Sequence, residues 1–229
     1  MKKIIFIGVL LFVISIHGQS KVTRNLGDYT ILKVYNGIEV ELIKSTENKL
    51  EITGEKSEIV KVKTVNNTLK LSLPFSLKPS DNAAEGEVFI QLFYKDTLTL
   101  IDANQGATIT AKDFQQDEVE ISAQERAYIN LVLKSKNIIV KAISGGIVKL
   151  KGTADNQDVD VDLYGVYHGY GLKVTNSAMV KAKTGAKAEI FAGKVLNAKV
   201  RFGGSIFYKG TPDLIRDEKL IGGIIQKKD

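Results

Sequence analysis

The chain has 229 residues, of which 44% are hydrophobic and 25% charged, and a formal net charge of +6. These proportions exclude a collagen-like or a disordered chain and leave an ordinary globular protein. With no Cys, no Trp and only two His, the sequence also excludes disulfides, thiolate metal sites, a cysteine nucleophile and a lipid-bearing cysteine.

The first element in chain order is a secretory leader. Lys2 and Lys3 form its basic start, Ile4–Ile16 its apolar run, and Gly18 precedes Gln19, where cleavage is expected. The run falls short of the about twenty residues a membrane helix needs. Residues 1–18 therefore read as a signal peptide rather than an uncleaved anchor, and 19–229 as the exported chain, bound for the periplasm or the cell surface. Every later apolar run is broken by charges, so no transmembrane segment is expected. Losing Lys2 and Lys3 leaves 30 of the 32 basic residues against 26 acidic ones, a net charge of +4, and leaves His168 as the single histidine. Charges are interspersed, with no long block of one sign, so nucleic acid is not an expected partner. Mild basicity favours anionic surfaces such as lipid headgroups or acidic glycans.

Over 28–97 strict alternation of apolar and polar residues predicts half-buried strands at Ile38–Leu42, Leu50–Thr53 and Val60–Lys63. An Asn66-Asn67 turn leads into another at Leu69–Leu73. Residues 74–87, with Pro74, Pro79 and Gly86, read as a loop long enough to be functional. Strand signal resumes at Val88–Phe93, and these N-terminal strands read as first coils or as a cap. From 98 to 226 the sequence repeats itself. Segments beginning at Leu98, Val119, Ile139, Asp160, Met179 and Lys199 are offset by 21, 20, 21, 19 and 20 residues. Each holds strand, turn, strand and turn, which is a solenoid signature.

The expected fold is all-β, a right-handed parallel β-helix with coils of about twenty residues. Ala123, Ala127, Ala142 and Ala182 suit a narrow interior, and Gly145-Gly146, Gly169, Gly185 and Gly203-Gly204 suit tight corners. A leucine-rich repeat is excluded, because its Leu and Asn ladder is not seen. An antiparallel sandwich of hairpins shares the alternation but has no reason for a regular period.

Three stretches carry a family resemblance: Val34–Val40 with Leu50–Gly54, the run Gly203–Pro212, and Lys219–Ile225. They resemble the head GIN domain family of auto-transporter adhesins, exported proteins common in Bacteroidetes, over about Asp28 to Gln226. The family's Ser-Gly-Ser-Gly turns are thin in this sequence: Ser144-Gly145-Gly146 is close, whereas Ala123-Gln124-Glu125-Arg126 departs. The resemblance implies a single β-helical unit over 19–229 and a location outside the cytoplasm, and it supplies no catalytic residues to carry over.

Two stretches hold the candidate site residues. In Asp158-Val159-Asp160-Val161-Asp162 alternation places three carboxylates on one face, about 6.5–7 Å apart. Asp158, Asp160 and Asp162 are therefore candidate Ca²⁺ ligands, and two of them a candidate acid–base pair of an inverting glycosidase. Alternation alone also explains them, with Val159 and Val161 facing the core. Next, Tyr164-Gly165-Val166-Tyr167-His168-Gly169-Tyr170-Gly171 gathers three tyrosines and the remaining histidine. Tyr164, Tyr167, His168 and Tyr170 are candidate ligand-binding residues, suited to stacking on sugar rings or anchoring a protein. The plain alternative is an aromatic ladder over a coil corner. No Gly-x-Ser-x-Gly elbow and no nucleotide-binding glycine motif is found.

The functional expectation is a non-enzymatic binding protein that needs no cofactor and presents a β-helix face to a glycan or envelope partner. The alternatives are a carbohydrate-active hydrolase or lyase using the Asp row, and a structural envelope module associating through its sheet edges.

Overall fold

The structure, a computed structural model, describes residues 21–78, 84 and 86–229. The leader therefore lies outside the described residues. The strands are β1 (Val22–Asn25), β2 (Ile31–Val34), β3 (Glu39–Lys44), β4 (Lys49–Thr53), β5 (Lys61–Val65) and β6 (Thr68–Ser72). Next come β7 (Phe89–Tyr94), β8 (Leu100–Ala103), β9 (Thr108–Gln115), β10 (Glu118–Gln124), β11 (Tyr128–Ile143) and β12 (Ile147–Asp162). The last are β13 (Val166–Ala182), β14 (Lys187–Phe191), β15 (Val195–Arg201), β16 (Ser205–Lys209), β17 (Leu214–Leu220) and β18 (Ile224–Lys227).

They stack as the two walls of a parallel β-helix. One wall runs β6, β2, β8, β10, then the C-terminal halves of β11, β12 and β13, then β15 and β17. The other runs β7, β3, β9, the N-terminal halves of β11, β12 and β13, then β14, β16 and β18. Every neighbour in both walls is parallel, so the hairpin sandwich is excluded. β11, β12 and β13 each bend from one wall into the other, which is why they are long.

The interior follows from alternation and register. On the first wall Leu69, Leu32, Ile101, Ile121, Val140, Val159, Val180 and Ala198 form one inward row. The next row, Leu71, Val34, Ala103, Ala123, Ala142, Val161, Ala182 and Val200, is smaller because it approaches the corner. All sixteen are buried. Aligning like side chains gives each coil the same thickness, so successive coils stack in register.

The stretch 28–97 supplies both coils and cap. β2 and β3 form a coil inserted between β6–β7 and β8–β9, so chain order and stacking order differ. Antiparallel strands close that end: β4 against β7, β1 against β4, and β5 against β6. At the other end the last coil puts charge where the core should be. Asp217 and Lys219 sit in register with inward Ala198 and Val200, and Lys227 with Tyr208.

Corners have a uniform backbone. Asn36-Gly37, Gln105-Gly106, Glu125-Arg126, Ser144-Gly145, Leu163-Tyr164, Thr184-Gly185, Phe202-Gly203 and Ile221-Gly222 all have positive φ at both residues. The second N–H of a corner donates to the first carbonyl of the next, as in Gly145 to Leu163 at 3.0 Å and Tyr164 to Thr184 at 3.1 Å. From Asn36-Gly37 to Phe202-Gly203 each corner is thereby bonded to the next, which stiffens the edge they form.

Candidate functional site

The Tyr164–Gly171 stretch spans a corner and the first half of β13, and its side chains divide between surface and core. Tyr164 is the second residue of its corner, with φ of 62°, a place glycine holds at most other corners. Its side chain projects outward and the residue is 72% exposed. The ring lies against Gly185 of the next corner, where an added Cβ would stand 2.8 Å from Tyr164 Cε1. Leu163, Phe202 and Ile221, the first residues of their corners, are also exposed. Phe202 and Ile221 lie on successive corners, about one 4.8 Å strand spacing apart, while Thr184-Gly185 stands between them and Leu163. Sequence reasoning missed Phe202 and Ile221 as surface residues. The signal was available as an apolar residue preceding the corner glycine in Phe202-Gly203 and Ile221-Gly222.

Tyr167 is not a surface residue. Alternation from Val166 turns it inward, and it is fully buried. Its hydroxyl donates to Gln157 Oε1 at 3.1 Å, and Gln157 Nε2 donates to the Phe191 carbonyl at 3.1 Å. Burial pushes the Tyr167 phenol far above its ordinary range. Gly169, the next inward position, leaves room for the ring, since a Cβ there would lie 2.5 Å from Tyr167 Cζ. The glycine beside this tyrosine thus serves packing, not exposure. The cue in the sequence was Gln157, a polar residue in phase with inward Val159 and Val161.

His168 and Tyr170 face outward on the second wall. β13 carries one extra residue between His168 and Gly171, opposite Lys149 and Lys151 of β12. Tyr170 faces outward by the same alternation as His168, and the bulge shifts the phase after it so that Leu172 rather than Gly171 returns to the core. His168 Nδ1 is 2.7 Å from Glu189 Oε2, and Lys187 Nζ is 2.7 Å from Glu189 Oε1. Burial raises the Glu189 carboxyl, but the bonds from Lys187 and His168 outweigh it and hold the group below the usual carboxylate range. The Tyr170 phenol is raised by burial and by Glu189, and Lys209 Nζ stands 5.4 Å from its ring centroid. Lys149, His168, Tyr170 and Glu189 line one shallow depression. The structure thus brings His168 and Tyr170 together and sets Tyr164 apart on the corner.

The aspartate row faces outward as alternation requires, over buried Val159 and Val161. Asp160 lies in register between Lys141 and Lys181. Lys183 Nζ sits 2.9 Å from Asp160 Oδ1 and 3.5 Å from Asp162 Oδ2. The Asp160 hydrogen bond holds the Lys183 ammonium above its ordinary pKa. Asp162 Oδ1 also accepts the Leu163 N–H at 2.8 Å. Asp158 has Ile139 and Met179 beside it instead. The charge that a Ca²⁺ would supply between two of these carboxylates is supplied by the chain's own ammonium. Among the described residues no group of three or more His, Asp or Glu is placed to hold a metal ion.

At the opposite corner an asparagine ladder appears. Asn137 donates to Glu118 Oε1 at 3.0 Å, Asn156 to Asn137 Oδ1 at 2.9 Å, and Asn176 to Asn156 Oδ1 at 2.8 Å. The sequence held this as three asparagines one coil apart, without the leucines of a leucine-rich repeat.

Among the described residues no helix is long and apolar enough to cross a membrane. No curated protein matches the chain. Three solved structures are similar to it along nearly their whole length. A “putative adhesin” from Bacteroides fragilis is 20% identical with a TM-score of 0.83, covering 93% of this chain and 98% of that one. A “putative adhesin” from Parabacteroides merdae is 17% identical with a TM-score of 0.65 over the same shares, 93% and 98%. A “Putative lipid binding protein” from Parabacteroides distasonis is 16% identical, also with a TM-score of 0.65 and coverage of 93% and 98%. At such identities the likeness is one of fold. The family model “Putative auto-transporter adhesin, head GIN domain” matches residues 28–212. It runs from β2 to β16, leaving out the cap strand β1, and stops short of Lys219–Ile225, where a further likeness was read. With strands β2 to β16 and every corner but Ile221-Gly222 inside that match, the chain belongs to the head GIN domain family of auto-transporter adhesins.

Proposed function

We propose that the protein is a non-enzymatic binding module, exported by its N-terminal leader, that presents the Tyr164 corner to a glycan or another envelope component. The observation that carries this reading is Tyr164 itself, 72% exposed on a stiff corner beside the bare backbone of Gly185. A rigid aromatic ring next to a side-chain-free strip suits a flat ligand, and little conformational entropy is lost when it binds. Leu163 and Phe202 extend the contact along the corner edge. His168 and Tyr170 line a second, more polar contact on the adjoining wall. The adhesin description of the family and of two similar structures agrees with this reading. Pairing of Lys183 with Asp160 and Asp162 favours binding without calcium and without acid–base catalysis.

The test is a glycan array probed with residues 19–229, with and without calcium, beside the Tyr164→Ser variant. Binding is expected to fall at least tenfold in the variant and to be indifferent to calcium. Undiminished binding by Tyr164→Ser contradicts the corner site. A blank array contradicts the glycan and leaves a protein component of the envelope as the partner. Amino-terminal sequencing of the exported protein is expected to begin at Gln19.

A further inference from the structure

At the capped end of the solenoid, far along the stack from Tyr164, two features coincide that neither the fold nor the corner site requires. The first is a set of lysines. In the antiparallel pair β5–β6, Lys63 lies directly opposite Lys70, and in the parallel pair β6–β2, Lys70 lies beside Lys33. Three like charges thus occupy one lateral row, an arrangement that destabilises a sheet. Lys33 is offset by Asp102 at 3.3 Å. Lys70 stands 4.4 Å from the Tyr35 ring centroid, and neither it nor Lys63 nor nearby Lys61 makes an ion pair among the described residues. Lysines on an edge strand protect it from pairing with another chain, but that role does not need Lys70 or Lys33, which lie inside the sheet.

The second feature is the segment that follows β6. Phe75 and Leu77, 82% and 90% exposed, are the most exposed large apolar side chains among the described residues. They alternate with Ser76 and precede exposed Lys78. Phe75 and Lys70 line one depression with Tyr35, Ser72 and Pro74, and among the described residues no acidic side chain takes part in it. Apolar side chains projecting from a basic surface match the boundary of an anionic bilayer, where the rings enter the acyl region and the ammonium groups meet phosphates.

We infer that this end of the protein docks on an anionic phospholipid bilayer, with Phe75 and Leu77 entering it and Lys61, Lys63, Lys70 and Lys78 meeting the headgroups. The observations are independent of the glycan reading, and either stands without the other. Because the chain has no Trp, Phe75→Trp in residues 19–229 is a single-site fluorescent reporter. Vesicles of phosphatidylcholine with 30% phosphatidylglycerol are expected to shift its emission to the blue, whereas vesicles of phosphatidylcholine alone are not. In co-sedimentation, Lys63→Glu with Lys70→Glu, or Phe75→Ser with Leu77→Ser, is expected to cut partitioning at least tenfold. Tyr164→Ser is expected to leave it unchanged, and far-UV circular dichroism confirms that each variant is folded. No blue shift on either vesicle, or equal binding to both, overturns the inference. Loss in the lysine variant with none in the Phe75/Leu77 variant also overturns it, and points to a soluble anionic ligand.

Discussion

Tyr164 and Tyr167 stand three residues apart in the chain but on opposite sides of the wall, and their substitutions should separate accordingly. Tyr167→Phe strands the Gln157 Oε1 acceptor inside the core and is expected to cost about 1–3 kcal/mol in urea unfolding. Tyr164→Ser keeps the same backbone and removes only an exposed ring, so its effect on stability should stay within about 0.5 kcal/mol. Glu189 yields a pH prediction. Its carboxyl titrates lower in the folded chain than in the unfolded one, so the folded state binds fewer protons there. The resulting stability is present above the unfolded value of about 4.3 and is lost as pH falls through the folded one. Glu189→Gln should therefore show a shallower loss of stability on acidification below about pH 4.3. At this scale the sequence was only partly legible. The cluster of tyrosines, histidine and glycines over Tyr164–Gly171 was visible, but the phase of alternation after Gly165, which sends Tyr167 inward, depends on where β13 starts. The partner of Lys183 was likewise hidden, because Asp160 lies one coil away from it in the chain.

Corners and strands were more readable. Alternation revealed strands because one face of each meets a continuous core and the other water, and the twenty-residue period revealed the coils because parallel stacking forces equal lengths. The corner ladder sets strict demands on its second position. Gly185 has φ of 65° and lies under the Tyr164 ring. Gly185→Ala should therefore cost about 1–3 kcal/mol, measurable by chemical denaturation, whereas the same change at a residue with ordinary φ on the outer face should be near neutral. The insertion of β2–β3 between later strands was not legible. It rests on pairings such as Ile31 with both Thr68 and Leu100, and no local pattern encodes which distant strand a given strand will meet.

At the scale of the whole molecule the two ends are built differently. One is closed by the antiparallel strands β1, β4 and β5, the other by charge at inward positions of the last coil. Asp217, Lys219 and Lys227 make a further coil unfavourable, because stacking on them would bury ionised groups. The chain is therefore expected to be monomeric through that end. Asp217→Val with Lys219→Val should convert it into an apolar edge and produce concentration-dependent association in size-exclusion chromatography with light scattering. This bears on the structural-module alternative, which needs an edge that accepts a neighbour. Between the ends lies a stack of parallel coils whose corner carries the exposed ring of Tyr164.

The assignment of surface and core among the tyrosines underlies both the fold and the site, and nitration of folded residues 19–229 with mass-spectrometric mapping tests it most directly. Tyr164 is expected to be nitrated readily, while Tyr167, with Tyr29 and Tyr94, which are also buried, stays unmodified until the protein is unfolded. Nitration of Tyr167 in the folded chain as fast as Tyr164 would contradict the register of β13, and with it the corner site.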